Sequence, residues 1–300
     1  MQPASDNSDI YYALAAIAMW STVAVAFKLG LSLVTPMQLV TVAVAIATVF
    51  FSTLVLVTGR LANANFMASL GQGAGTISAA LGILNPLAYY LVLFAAYDRL
   101  PAQIAQPLNF TWSITLALLA VPLLGQRLTR QRLIGIGVSY LGVLIILAPW
   151  QAQASVSWAG VFLALLSTLI WAIYWLLNAR SKVDPLLSLT VGFWVACPIL
   201  IITCLFTDGW PQLSWPAFSY AAWVGLVEMA LGFLCWQSAM RRTKRAALLG
   251  QLIFLSPFVS LWLIHNVLQE HVSGYSIIGL IVIVAGLLIS TRETPKLRRA

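Results

Sequence analysis

The stretch AQIAQPLNFTWSITLALLAVPLL, Ala102–Leu124, contains no Asp, Glu, Lys or Arg. A bilayer core about 30 Å thick needs roughly 20 apolar residues to be crossed by a helix, and this run is long enough. At about 100° per residue, Gln103, Gln106, Asn109 and Ser113 fall with Phe110 on one broad stripe. Such a stripe suits a neighbouring helix or a wet cavity rather than lipid. The alternation of apolar and polar residues that a membrane β-strand requires is missing.

Comparable runs precede and follow it: Ile10–Phe27, Met37–Val57, Thr76–Tyr97, Leu133–Pro149, Trp158–Leu177, Leu186–Phe206, Trp215–Met240, Ala246–Leu268 and Tyr275–Thr291. Only Trp215–Met240 holds a charge, Glu228. With 61% hydrophobic and 8% charged residues among 300, the chain is too apolar to cover a soluble surface. The expected fold is all-α, a polytopic membrane protein with ten spans. Residues 1 to 9 contain Asp6 and Asp9 but no Lys or Arg, so the first run reads as a retained span rather than a cleaved signal.

The net charge of +8 does not mark a nucleic-acid face, because the basic residues sit in short loops. If the N-terminus is cytoplasmic, every Lys and Arg except Lys28 and Arg99 falls in an inside loop or at the inside C-terminus. Both termini are therefore expected in the cytoplasm, and the expected location is the inner membrane of a bacterium. Trp150, Trp158, Trp210 and Trp215 near the span ends read as an interfacial belt.

Sliding the chain against itself places Ala102–Gly135 on Ala246–Gly279, with Leu124 on Leu268, Gln126 on Glu270 and Thr129 on Ser273. At a slightly different offset Trp20 falls on Trp171. Two units follow, 1–150 and 151–300. Each has five spans, an odd number, so the second must enter the membrane in the opposite sense. Inverted repeats place a site near the midplane at their interface, where one half rocks against the other.

Several segments carry a family resemblance: Phe94-Ala95-Ala96-Tyr97 running into Pro101-Ala102, and Leu124-Gly125-Gln126-Arg127-Leu128-Thr129 followed by Gly135. Their second-half echoes are Gln251–Pro257 and Leu268-Gln269-Glu270. On these segments the whole chain resembles the drug/metabolite transporter superfamily, with two EamA-type halves. The resemblance implies a ten-span carrier with both ends inside. The family usually has Glu in its Gly-Glu-Arg turn; Glu270 keeps it and Gln126 departs from it. Gln106-Pro107-Leu108-Asn109-Phe110-Thr111-Trp112 further resembles the fourth helix of aromatic amino-acid exporters.

Other spans also carry polar faces. Ser167, Trp171, Tyr174 and Asn178 align on the sixth, and Ser78, Gly82, Asn85 and Tyr89 on the third. Such groups either hydrogen-bond helix to helix or line a solute path. Together with Trp20, Gln251 and the stripe on the fourth span, they are the expected walls of a site for an amphipathic aromatic solute. Glu228 is the only acid well inside a span, so it is expected to border the path, binding an ammonium group or exchanging a proton. Pro107 and Pro257 are the hinge candidates, with Pro86 and Pro198 further interruptions. Gly135, Gly137 and Gly142, with Gly279 and Gly286, read as tight packing and are also compatible with a homodimer.

Enzymatic chemistry is not expected. The two histidines, His265 and His271, form no His-Glu-x-x-His motif, and Gly71-Gln72-Gly73-Ala74-Gly75 lacks the preceding strand and the Lys-Ser/Thr ending of a nucleotide loop. Cys197, Cys204 and Cys235 show no metal or disulfide spacing, and no cofactor or metal is implied. The expected function is export of small metabolites, aromatic and other neutral amino acids above all. Export of purines or cationic drugs, or a solute channel, are the alternatives.

Overall fold

A computed structural model describes residues 8–60, 73–124, 129–147, 156–181, 183–242 and 252–291. Among them there is no strand, and the polar backbone is satisfied within helices, as hydrocarbon surroundings demand. In chain order the helices are α1 (Ser8–Leu31), α2 (Pro36–Val57), α3 (Gly75–Arg99) and α4, which runs Ala102–Phe110 and then Trp112–Leu124. They continue as α5 (Arg130–Leu147), α6 (Trp158–Arg180), α7 (Pro185–Thr207) and α8, made of Trp215–Ala222, Trp223–Gly232 and Phe233–Arg242. The last are α9 (Ile253–Leu268) and α10 (Gly274–Thr291). Six of them, α1, α2, α3, α6, α7 and α8, are long and apolar enough to cross a membrane. The chain is a multi-pass membrane protein.

Local chemistry sets the boundaries. Thr35 accepts from Gln38 N while the Gln38 side chain accepts from Thr35 N, and Pro36 supplies a pre-set first turn to α2. Asp184 caps Leu187 N ahead of Pro185 at α7, and Ser214 caps Ala217 N ahead of α8. α7 ends where Gly209, at φ 73°, returns its N–H to Cys204 O. The first helix outruns its apolar stretch by several residues. Lys28 remains helical because its Nζ donates to Tyr97 O at 2.9 Å and Leu100 O at 3.0 Å, carbonyls left open at the end of α3.

Where helices meet, their backbones come close. Lipid gives little hydrophobic drive for helix association, so small residues that allow contact decide the geometry. A Cβ on Gly82 of α3 would lie 2.4 Å from Gly192 Cα of α7, and one on Gly225 of α8 would lie 2.4 Å from Ala43 O of α2. On α5 and α10, Gly135 meets Gly286 O at 2.5 Å and Gly142 meets Gly279 O at 2.6 Å by the same measure. The internal alignment carries Gly135 onto Gly279 and Gly142 onto Gly286, so it exchanges these two contacts. Four of the glycines compatible with a homodimer thus face one another within one chain, while Gly137 meets nothing within 4 Å.

Polar contacts group the helix ends into two sets. In one, Lys28 joins the α1–α2 turn to the α3–α4 turn, Glu270 accepts from Ala102 N at 3.2 Å and Gln103 N at 3.3 Å, and Thr35 bonds Asp208. In the other, Arg60 meets Asp184 at 3.1 Å, Gln131 donates to Ile289 O at 3.0 Å, and the Arg242 guanidinium sits 5.0 Å from the centre of the Tyr12 ring. Successive helices therefore alternate in direction. Trp158 and Trp215 open α6 and α8 with exposed rings, the placement an interfacial belt requires.

The glycine crossings yield a stability prediction. Gly82→Ala and Gly225→Ala force backbone apart and should each cost about 1–3 kcal/mol, whereas Gly137→Ala, with nothing within 4 Å, should be neutral or slightly stabilising. Thermal unfolding of the purified variants in detergent reads the difference. Equal effects at all three positions would contradict it.

Candidate functional site

Regular winding fails close to the middle of several helices. α1 is interrupted at Thr22, α4 at Thr111, and α3 at Asn85, whose backbone is extended at φ −146° and ψ 118° ahead of Pro86. Over Trp223–Gly232, α8 widens into π-helical turns, and α9 begins as a tight 3-10 turn, Ile253–Leu255, before Pro257. Irregular backbone within a membrane protein is tolerated where protein or a cavity surrounds it. These helices, with α6, line a cavity of about 80 Å³. Space of that size holds a few water molecules. It is below the roughly 300–1,000 Å³ of sites that enclose small-molecule ligands, so a metabolite enters only if the walls part.

Rings dominate the lining. Trp171 of α6 lies 4.4 Å from Tyr89 of α3, 5.6 Å from Phe233 of α8 and 6.4 Å from Trp112 of α4, measured between ring centres. Trp20 of α1 stacks obliquely on Trp236 at 5.5 Å and meets Phe233 edge-on at 5.9 Å. Gly232 makes room for it, since a Cβ there would stand 2.7 Å from the Trp20 indole nitrogen.

The polar groups are few and mostly committed. Tyr90 donates to Glu228 Oε1 at 3.1 Å, while Glu228 Oε2, on a residue 7% exposed, is buried with no partner among the described residues. Tyr89 donates to Asn109 Oδ1 at 3.4 Å, and Asn109 Nδ2 donates to Ser167 Oγ at 3.1 Å. Tyr97 donates to Gln106 Oε1. A line of hydroxyl and amide groups therefore ties α3, α4 and α6 around one carboxyl from α8. The site can offer aromatic faces, a buried acid and a small number of oriented dipoles.

Of the residues expected from sequence, Trp20, Gln106, Asn109, Phe110, Tyr89, Trp171 and Glu228 line this cavity. The others lie elsewhere. Ser78 returns its hydroxyl to Ala74 O at 2.7 Å, on the face of α3 that packs against Gly192. Asn85 is buried in the break itself, and Tyr174 stacks behind Trp171 at 5.8 Å. Gln103 donates to His271 O and accepts from Ser273 N and Ser276 Oγ, joining the start of α4 to the start of α10. Ser113 is half-buried past the α4 interruption, Asn178 sits near the end of α6, and Gln251 lies outside the described residues. Pro107 and Pro257 are buried next to changes in winding, whereas α7 runs unbroken through Pro198.

A stripe drawn at about 100° per residue holds only while the helix is regular. The break at Asn85 separates the faces of Ser78 and Tyr89. Sequence reasoning missed Trp175, Phe233 and Tyr97 as lining groups and left Trp112 and Trp236 unassigned. The available signal was position, since Trp112 and Trp236 sit away from span ends, where an indole has no interface to occupy.

The sequence model of the EamA-like transporter family matches residues 7–148 and again 158–292. YvbV, an uncharacterized transporter of Bacillus subtilis (strain 168), is 23% identical over 216 residues, 70% of this chain and 70% of that protein. A probable terminal-alkyne amino-acid exporter of Streptantibioticus cattleyicolor is 26% identical over 227 residues, 73% of each chain. A solved crystal structure superposes with a TM-score of 0.63 at 22% identity, covering 95% of this chain and 97% of its own, a likeness that shows the fold alone.

Because Trp171 joins five other rings, Trp171→Ala should cost about 3–5 kcal/mol, while Asn178→Ala on the same helix should stay within about 0.5 kcal/mol. Melting of both variants in detergent checks this. Similar losses at the two positions would mean that the ring cluster is not the keystone of the cavity.

Proposed function

The chain belongs to the EamA-like transporter family, and from that premise we propose that it exports aromatic and other neutral amino acids by alternating access at the cavity described above. It is a membrane transporter and not an enzyme, as members of the family are. The observation that carries the substrate class is the cavity wall. Indole and phenol rings from α1, α3, α6 and α8 face one another around Glu228, Asn109 and Gln106. That composition matches a solute with an apolar ring at one end and charged groups at the other. The probable terminal-alkyne amino-acid exporter of Streptantibioticus cattleyicolor supports amino acids as the wider class.

The mechanism we propose needs two halves, 1–150 and 151–300, related by inversion, with all ten helices spanning. Three observations support this. One family model matches twice, along the two halves in turn. The reciprocal contacts Gly135–Gly286 and Gly142–Gly279 exchange under the internal alignment. Gly82 on Gly192, between α3 and α7, has its counterpart in Gly225 on Ala43, between α8 and α2. Rocking of such halves opens the cavity to each side in turn. The distribution of basic residues supports cytoplasmic termini in a bacterial inner membrane.

A second reading, export of cationic solutes, is favoured by one feature. The unshared oxygen of Glu228 lies among rings whose faces attract cations. Proteoliposomes preloaded with labelled tryptophan, phenylalanine, threonine or a quaternary ammonium ion, with and without an imposed pH gradient, separate the readings. Saturable efflux fastest for the aromatic amino acids is the expected result. Flux of the quaternary ion alone would favour the second reading, and no amino-acid flux under either condition would sink the first.

A further inference from the structure

α1 packs along α8 and α9, and α6 packs along α3 and α4. The internal alignment carries α1 onto α6 and α4 onto α9, so it exchanges these two groups of helices. The cavity lies between them. Trp20, Phe27 and Phe233 line it from one group, and Tyr97, Phe110 and Trp171 from the other. Since about 80 Å³ admits only a few water molecules, a metabolite passes when the groups part.

Two charged side chains bridge the groups at one end. The α3–α4 turn leaves polar backbone open on both of its sides. Tyr97 O has no return from Pro101, which lacks an N–H, and Ala102 N and Gln103 N begin α4 with no acceptor inside the helix. Lys28 of α1 donates to Tyr97 O at 2.9 Å and to Leu100 O at 3.0 Å. The Glu270 carboxylate accepts from Ala102 N at 3.2 Å with one oxygen and from Gln103 N at 3.3 Å with the other. Glu270 O lies 3.2 Å from His265 Nδ1, a contact that ties this residue to α9. Phe27 immediately precedes Lys28, and its ring meets that of Tyr97 edge-on at 5.3 Å, each residue being 1% exposed. The Lys28 bonds therefore sit next to two rings of the cavity wall.

We infer that Lys28 and Glu270 form a latch on the α3–α4 turn, which must let go before the cavity opens on their side of the membrane. The inference rests on the reading of alternating access at this cavity. Every atom that the latch holds is a backbone group that water serves equally well. Charge-assisted bonds favour the closed arrangement, and wetting of the turn on opening returns part of what they contributed, so release is reversible.

The test places one reporter on the cavity wall, Val23→Cys, in a full chain whose Cys197, Cys204 and Cys235 are replaced by alanine. Its reaction with a membrane-impermeant maleimide is timed from either face of oriented vesicles. K28M and E270Q should each speed reaction from the Lys28 face about fivefold or more, and leave reaction from the opposite face unchanged or slower. K28R keeps the donors and should stay within about twofold of the parent chain. A parent that reacts from both faces, with K28M or E270Q unchanged, overturns the latch and leaves alternating access standing. A rise from both faces alike, or an equal rise in K28R, does the same, because loosened packing gives either. A parent that reacts from one face alone or from neither overturns both.

Discussion

In hydrocarbon a backbone N–H or C=O without a partner costs several kcal/mol, and the rest of this molecule follows from meeting that demand. Helices satisfy it internally, and among the described residues the apolar runs are helical. Three departures from helical winding centre on residues that protein surrounds: Asn85, Thr111 and Glu228 are all buried. The extended backbone at Asn85 precedes Tyr89, the interruption at Thr111 lies between Phe110 and Trp112, and the wide turns of α8 hold Glu228, all four of these side chains lining one cavity. The irregularities and the cavity are one feature seen from two directions.

The same demand governs how helices associate. With little hydrophobic gain available, backbones must touch, and Gly82, Gly225, Gly135 and Gly142 supply the contacts. At the end marked by Lys28 and Glu270, charged side chains cap open helix termini and hold the α3–α4 turn against the α9–α10 turn. Leu100, Tyr97 and Phe27 are almost fully buried there.

Much of the fold was legible because the governing variable is one-dimensional. Runs free of charge marked the described helix ends to within a few residues, the expected start of the ninth run at Ala246 lying outside the described residues, and the error at Lys28 arose from a tertiary contact with Tyr97 and Leu100. The candidate site was legible only in part. Asn109 and Phe110 were found because their half of α4 is regular up to Thr111, and Trp171 because α6 is unbroken. Ser78 was placed with Tyr89 by a periodicity that Asn85 breaks. Gln103 looked like lining, yet at a helix start the competition for capping partners decides its direction. Aromatic residues such as Phe233 gave no signal, because a ring facing a cavity and a ring facing a neighbouring helix look identical in sequence.

Alternating access is tested most directly by solvent reach to the cavity. Phe110→Cys, in a chain whose Cys197, Cys204 and Cys235 are replaced by alanine, can be challenged in oriented vesicles with a membrane-impermeant maleimide added from either face. Alternating access predicts reaction from both faces, slowed by a transported amino acid. Reaction from one face alone, unchanged by solute, or from neither would contradict it.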